Sequence, residues 1–311
     1  MEMDRLNPDD LFKKFLKDCE VRGMSPRSLP GYKSALKMFG QYIGLAGVEV
    51  LKVDRDALRG FIEHSREIGR SQRSIELIFS VLNSFYEYLV YEGLISSNPV
   101  LAVRKRYLHH YKDNGDGHER QLISVEDMSR MINSEMDIRD KAIITLLAKT
   151  GIRRNELISL DVSDIDFIEN QIRLKPTAKR TNKTVFFDDE AAFILRRWLK
   201  VREGMNRRKS PALFLSSWGL RASRNDVYLA VTKAAERIGL HNTESDRMED
   251  HFSPHNCRHW FTTFLRRAGM RREFIQELRG DSRKEAIDIY DHIDLKELKE
   301  AYLACIPQLG I

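Results

Sequence analysis

A chain of 311 residues, 42% of them hydrophobic, is long enough for two domains that each bury a core. No run of about eighteen apolar residues occurs, and the opening MEMDRLNPDD is acidic and polar. Both features argue against a membrane span or signal peptide and for a cytoplasmic protein. Charged residues make up 32% of the chain and the formal net charge is +6, a balance that favours a polyanionic partner.

The first hundred residues read as helix. Asn7-Pro8 before DDLFKKFLKDCEV is a capped start with proline in the first turn. In SPRSLPGYKSALKMFGQYIGLAG, Tyr32, Leu36, Phe39 and Ile43 recur at helical spacing. DRDALRGFIEHSREIG predicts a third helix, and SQRSIELIFSVLNSFYEYLVYEG a long fourth ended by Gly93, with Asn98-Pro99 closing the bundle. VRKRYLHHYK then mixes Arg104, Lys105 and Arg106 with aromatics; it reads either as a solvated connector or as a strap on phosphates. Residues 112–121, KDNGDGHERQ, have the composition of a flexible linker. The expected organisation is a helical domain over 1–111, this linker, and a second domain over 122–311.

After the linker, Ser124-Val125-Glu126-Asp127 looks like a capped start and DIRDKAIITLLAK a second helix, broken by Gly151. NQIRLKPTAK and KTVFFDD alternate partially around Arg180-Thr181-Asn182, which predicts a β-hairpin. Helices resume at DDEAAFILRRWLKVRE, SRNDVYLAVTKAAERIG and SPHNCRHWFTTFLRRAG and continue to the end. The expected fold class is mainly α with a small antiparallel β-sheet. Cys19, Cys257 and Cys305 are odd in number and far apart, which fits small buried side chains in a reducing compartment.

Three segments of the second half carry chemistry: TGIRRNEL (Thr150–Leu157), PHNCRHWF (Pro254–Phe261) and Tyr290 within EAIDIYDHIDL. Together they match what cleavage of a phosphodiester by a tyrosine requires. Two guanidiniums clamp the non-bridging oxygens as negative charge builds, and they never lose their own charge. A phenol with a pKa of roughly 10 needs nearby positive charge to become a nucleophile. The leaving 5′ oxygen needs a proton, which a lysine on the hairpin can deliver.

TGIRRNELISL resembles the first arginine box of the tyrosine recombinases, the family of phage integrases and Xer-type resolvases. SPHNCRHWFTTFLRRAG resembles their H-x-x-R box, and RGDSRKEAIDIYDHI their tyrosine box, in the same order and at similar spacing. The resemblance implies a site-specific DNA recombinase for integration, excision or dimer resolution, needing neither metal nor cofactor. Arg153 and Arg258 would bind the phosphate, with His255 in proton transfer or phosphate contact. Glu156 would orient an arginine, and Tyr290 would form a 3′-phosphotyrosine link. Lys179 fits the hairpin lysine best, with Lys175 and Lys183 as alternatives. At Asp281 the chain departs from the family, which usually carries His, sometimes Trp, there. Asp281 either holds a neighbouring arginine or caps a helix beginning at Ser282, the capping role being slightly preferred, and His259 or His292 is a substitute donor. Arginines in Arg66–Arg73, among them Arg70 and Arg73, and in Arg221–Arg224 are candidates for DNA contact.

His251, His255 and His259 recur every four residues, but Pro254 should start the helix and leave His251 outside it, so no metal site is expected. A type IB topoisomerase and a non-catalytic DNA-binding protein are the rival readings. The tail DLKELKEAYLACIPQLG is an amphipathic helix with Leu295, Leu298 and Tyr302 on one face. That face covers the protein's own core or, as the resemblance implies, docks on a neighbour in a tetramer on duplex DNA. Accessory proteins are compatible with that assembly. The expected shape is a C-clamp of two domains around DNA, and RGDSRKEAIDIYDHID looks archaeal in style.

Overall fold

The computed structural model describes residues 7–108, 121–176, 182–245, 247–281 and 293–311. The chain divides into two compact units, Met1–Asp116 and Gly117–Ile311. Among the described residues there are thirteen α-helices and one three-stranded sheet. No helix among them is long and apolar enough to cross a membrane.

The first unit is helical: α1 (Pro8–Val21), α2 (Leu29–Leu45), α3 (Arg55–Glu67), α4 (Gln72–Tyr91) and α5 (Val100–Tyr107). Local chemistry sets the starts. Asn7 accepts from the Asp9 amide, Asp54 from Asp56 and Ala57, and Ser71 from Ser74, which satisfies donors the first turn leaves over. The core is aromatic, with Phe15, Phe39, Phe61, Phe79, Phe85 and Tyr86 fully buried and edge-to-face pairs at Phe39–Phe61 (5.2 Å) and Phe15–Phe85 (5.4 Å). The Tyr86 hydroxyl donates to the Val50 carbonyl at 2.9 Å.

Asn98-Pro99 does not close this bundle. Asn98 accepts from the Val100 amide and starts α5, whose Val100 and Val103 are buried in the same core. The basic run up to Tyr107 is therefore a packed helix and not a free connector.

The second unit is built around α7 (Ile138–Thr150), whose residues Ala142 to Thr150 are all buried. A helix buried on every side has no polar face, and α7 is flanked by α9 (Asp189–Met205), α10 (Arg224–Arg237) and α11 (Pro254–Arg267). Around this centre lie α6 (Val125–Asn133), α8 (Arg154–Ser159), α12 (Arg272–Arg279) and α13 (Leu295–Cys305). Strands β1 (Ile165–Asp166), β2 (Gln171–Arg173) and β3 (Thr184–Phe186) form an antiparallel sheet in that order, with Ile172 opposite Val185 on its buried side. β1 lies beyond the predicted hairpin; two residues are too few to show alternation.

One charge lies inside α7. Lys149 is fully buried, and its ammonium donates to Asp188 (2.5 Å), Glu190 (2.5 Å) and the Pro307 carbonyl (2.7 Å), so all three donors have acceptors. Glu190 in turn accepts from the amides of Leu309 (2.8 Å) and Gly310 (2.5 Å). The Tyr302 hydroxyl donates to the Lys149 carbonyl at 2.8 Å. Leu298, Tyr302, Ile306 and Leu309 are buried in this unit's own core. Of the two coverings weighed for the Leu298–Tyr302 face, the protein's own core is the one the described residues display, and only Leu295 of the trio is exposed.

Candidate active site

α7 ends at Gly151, in the left-handed conformation (φ 59°), with its amide bonded to the Leu147 carbonyl. The next residues turn inward at Ile152 and then open α8, with Arg153 as the residue before its first turn. Glu156, nearly buried, takes the Arg153 amide at 2.7 Å on one oxygen and the Arg153 guanidinium at 3.1 Å on the other. The acid in this box thus holds both backbone and side chain of the arginine.

Arg258 comes from α11, one turn beyond His255. It is almost wholly buried. Nη1 donates to the Gly151 carbonyl at 2.7 Å and Nη2 to the Arg279 carbonyl at 3.0 Å. Burial, then the neighbouring Arg153 and Arg279, pull its guanidinium down to about 10, against Asp281 and Glu156, so it stays charged at neutral pH. The two arginines converge on one group: Asp281 Oδ1 accepts Arg153 Nη2 at 2.9 Å and Arg258 Nη2 at 3.2 Å. Its other oxygen pairs with Arg279 Nε at 2.7 Å. Of the two roles weighed for Asp281, contact with arginine is the one the described residues display; a helix from Ser282 lies outside them.

A pocket of about 390 Å³ opens beside this centre, lined by Arg153, Arg154, Arg224, Tyr228, His255 and Arg258. His255 is exposed there. Arg224 Nε donates to Asn155 at 2.8 Å, which ties α10 to α8. His251 stands off α11, with Nε2 bonded to the Ser245 carbonyl at 2.6 Å. Among the described residues no group of three or more His, Cys, Asp or Glu is placed to hold a metal ion.

The sequence profile of the phage integrase family matches residues 121–297, and that of the phage integrase N-terminal SAM-like domain matches residues 10–93. This chain belongs to the phage integrase family. It is 31% identical over 288 residues to tyrosine recombinase XerC of Haemophilus ducreyi, covering 92% of this chain and 90% of that one. Tyrosine recombinase XerC of Thermodesulfovibrio yellowstonii is 30% identical over 295 residues, with 90% of each chain covered. The fold resembles a lambda integrase dimer bound to a COC′ core site, at a TM-score of 0.68 and 17% identity over 92% of this chain and 98% of that one.

Within this integrase-family chain, Lys179, Tyr290 and His292 lie outside the described residues. Of the other hairpin lysines, Lys175 is ion-paired to Asp161, which also pairs with Arg221. Arg221 further donates to the carbonyls of Ile158 (2.8 Å) and Leu160 (2.9 Å), so this DNA-contact candidate is turned to the end of α8 and away from the pocket. In the first unit, Arg73, Arg104 and Lys105 line one groove with Glu76 and Ser80. Arg73 pairs with Glu76 at 3.3 Å and Arg104 donates to Ser80 at 3.0 Å. Arg70 is exposed before α4, and Arg106 on the outer side of α5.

Sequence reasoning missed one residue at the site and one that ties a neighbouring element to it. Arg279 supplies both a carbonyl and a guanidinium to the arginine–carboxylate centre. Asn182 donates to the Thr184 carbonyl (2.6 Å) and the Glu277 carbonyl (3.3 Å), joining the hairpin to α12. The basic Arg-Gly-Asp run was a signal for the first; nothing in the sequence marks the second.

Proposed function

We propose that this protein is a tyrosine site-specific recombinase that cuts and rejoins duplex DNA through a 3′-phosphotyrosine intermediate. The observation that carries the reading is the convergence of Arg153 and Arg258, from segments far apart in the chain, on one acceptor oxygen. Two guanidiniums so placed suit the charge that accumulates on a pentacoordinate phosphate. In the proposed step the Tyr290 phenol oxygen bonds to phosphorus while the bond to the 5′ oxygen breaks. Lys179 gives that oxygen its proton, His255 beside the phosphate takes the proton the phenol loses, and both transfers run in reverse in the next step. A 5′ hydroxyl of a partner strand then attacks the phosphotyrosine, releasing Tyr290. The energy of the broken linkage is conserved in the new one, so no nucleotide is consumed.

The finer reading follows the same chemistry. A DNA-binding domain over 1–111 and a catalytic domain over 122–311 grip the duplex, joined by the linker 112–121. Arg70, Arg73, Arg104, Lys105 and Arg106 on one side, and Arg224 on the other, contact phosphates, so affinity falls with salt. Arg221 serves the fold first and DNA second. Four copies assemble on a specific recombination site in the cytoplasm, at the nucleoid, with or without accessory proteins. With the face of α13 filled in cis, subunit contacts use other surfaces. The archaeal style of Arg279–Asp294 rests on sequence alone.

The test needs no knowledge of the target. The protein and its Tyr290→Phe variant are incubated with sheared, nicked DNA of the host, denatured, and the protein-bound strands sequenced. Wild type alone should retain DNA by its 3′ end at one recurring sequence. Scattered sequences would point to a topoisomerase, and retention by neither protein to a non-catalytic DNA binder.

A further inference from the structure

We propose that Asp281 is an internal competitor for the phosphate seat, a carboxylate that occupies the arginine pair until DNA displaces it. The inference rests on reading Arg153 and Arg258 as the phosphate clamp. A phosphodiester presents two non-bridging oxygens and one negative charge, and a carboxylate presents two oxygens and one negative charge. Asp281 spends them on guanidiniums: Oδ1 accepts from Arg153 Nη2 (2.9 Å) and Arg258 Nη2 (3.2 Å), and Oδ2 is ion-paired with Arg279 Nε (2.7 Å). Among the described residues, the other contacts of Arg153 and Arg258 are to fixed parts of the fold. Glu156 and the carbonyls of Gly151 and Arg279 hold them, so the Asp281 contacts are the ones a ligand can take over.

The exposures set the direction of exchange. The Arg258 side chain is 6% exposed and cannot follow an incoming anion outward, whereas that of Asp281 is 32% exposed. Asp281 also sits just past Gly280, whose left-handed conformation (φ 63°) ends α12, and its amide is bonded back to Gln276 at 3.1 Å. Its side chain can therefore leave by rotating while its backbone stays fixed, with Arg279 as a resting partner. A like-charged carboxylate and phosphate cannot share the same Nη2 donors. The consequence is selectivity: a backbone phosphate that merely drifts in meets an occupied clamp, while one pressed in by the full set of protein–DNA contacts evicts Asp281.

The rival is that Asp281 is a strut that pre-orients the arginines, and the two readings predict opposite signs. Dimethyl phosphate, a phosphodiester without sugar or base, is titrated into the full-length protein and followed by phosphorus NMR line width. Asp281→Asn should bind it at least tenfold more tightly than wild type, and Asp281→His likewise. Unchanged or weaker binding overturns the proposal. Should the first variant fail to fold, Asp281→Ser is read in its place. The gain must vanish in an Arg153→Ala background; if it persists, the anion binds elsewhere and the proposal falls. The strand-retention test with Tyr290→Phe separates this from the recombinase reading. A tenfold gain without DNA retention keeps the competitor and rejects cutting by Tyr290, and retention without the gain does the reverse.

Discussion

Replacing Gly151 by alanine should damage both the fold and the anion clamp. Gly151 sits at φ 59°, where an L-residue meets its own carbonyl oxygen at a cost of about 1–2 kcal/mol. A Cβ built there would lie 2.3, 2.7 and 2.9 Å from Cδ1, Cγ and Cε1 of Phe261. Phe261 is fully buried and has no room to turn, so overpacking adds about 1–3 kcal/mol. The lower entropy of the unfolded alanine chain returns roughly 0.4–1 kcal/mol. The net expectation is a loss of about 2–4 kcal/mol from the second unit. All three tryptophans, Trp198, Trp218 and Trp260, belong to that unit, so urea unfolding followed by tryptophan fluorescence reads it without the first. Because the Gly151 carbonyl holds Arg258 Nη1 at 2.7 Å, dimethyl phosphate affinity should fall with stability. Adding Phe261→Leu should recover the overpacking part and leave the backbone part, giving a positive coupling in the double-mutant cycle. A loss below about 1 kcal/mol, or a double variant no better than the sum of its parts, would refute this account of the turn.

Four further outcomes follow from the same contacts. Lys149→Met leaves the buried Asp188 and the partly buried Glu190 without their cation and should cost about 3–5 kcal/mol by the same fluorescence assay; a near-neutral change would show the cluster to be dispensable. Burial pushes the Glu190 carboxyl up, but Lys149 and the amides of Leu309 and Gly310 outweigh it and hold the group below its ordinary 4.5. Its stabilisation is therefore complete above 4.5 and lost as pH falls through the depressed folded value. Urea midpoints should drop over that range, and less so in Glu190→Gln; equal drops would exclude Glu190 as the source. Tyr302→Phe, which removes the donor to the Lys149 carbonyl, should cost about 0.5–1.5 kcal/mol, and a stabilised variant would contradict the bond. Lys179→Ala should slow covalent DNA retention by about 100-fold or more, while Lys175→Ala, losing its pairings with Asp161 and Asp164, should keep it; the reverse pattern reassigns the acid.

Helices α1 to α4 of the first unit were legible because each has a periodic apolar face, and α1, α3 and α4 also a capping side chain. α5 was not, since eight residues carry too few apolar positions to set a period and its charges suggested a connector. In the second unit AIITLLAKT reads as helix, but nothing local shows that all its sides are buried or that the Lys149 ammonium finds its acceptors 39 to 158 positions away. The pairing of Arg153 with Glu156 could be read from their spacing of three on one turn. Asp281 was visible as a misfit, yet its three arginine contacts depend on a left-handed Gly280 that aims it backwards, and the choice between cap and tie was a tertiary one. The tail helix showed its apolar face plainly; which surface would cover it was beyond any periodicity.

The Lys149 cluster bears on how the protein is made. Its ammonium sits two positions before Gly151, whose carbonyl anchors Arg258, and it is satisfied only when Pro307, together with Asp188 and Glu190, has arrived. During synthesis α7 is out of the ribosome long before residues 302–310. Until those residues emerge, α7 must either leave its lysine in water, unpacked, or bury it without its full set of acceptors. The helix end that anchors Arg258 therefore completes its packing only after the tail has emerged, and under the proposed function the grip on phosphate would be the last part of the chain to mature.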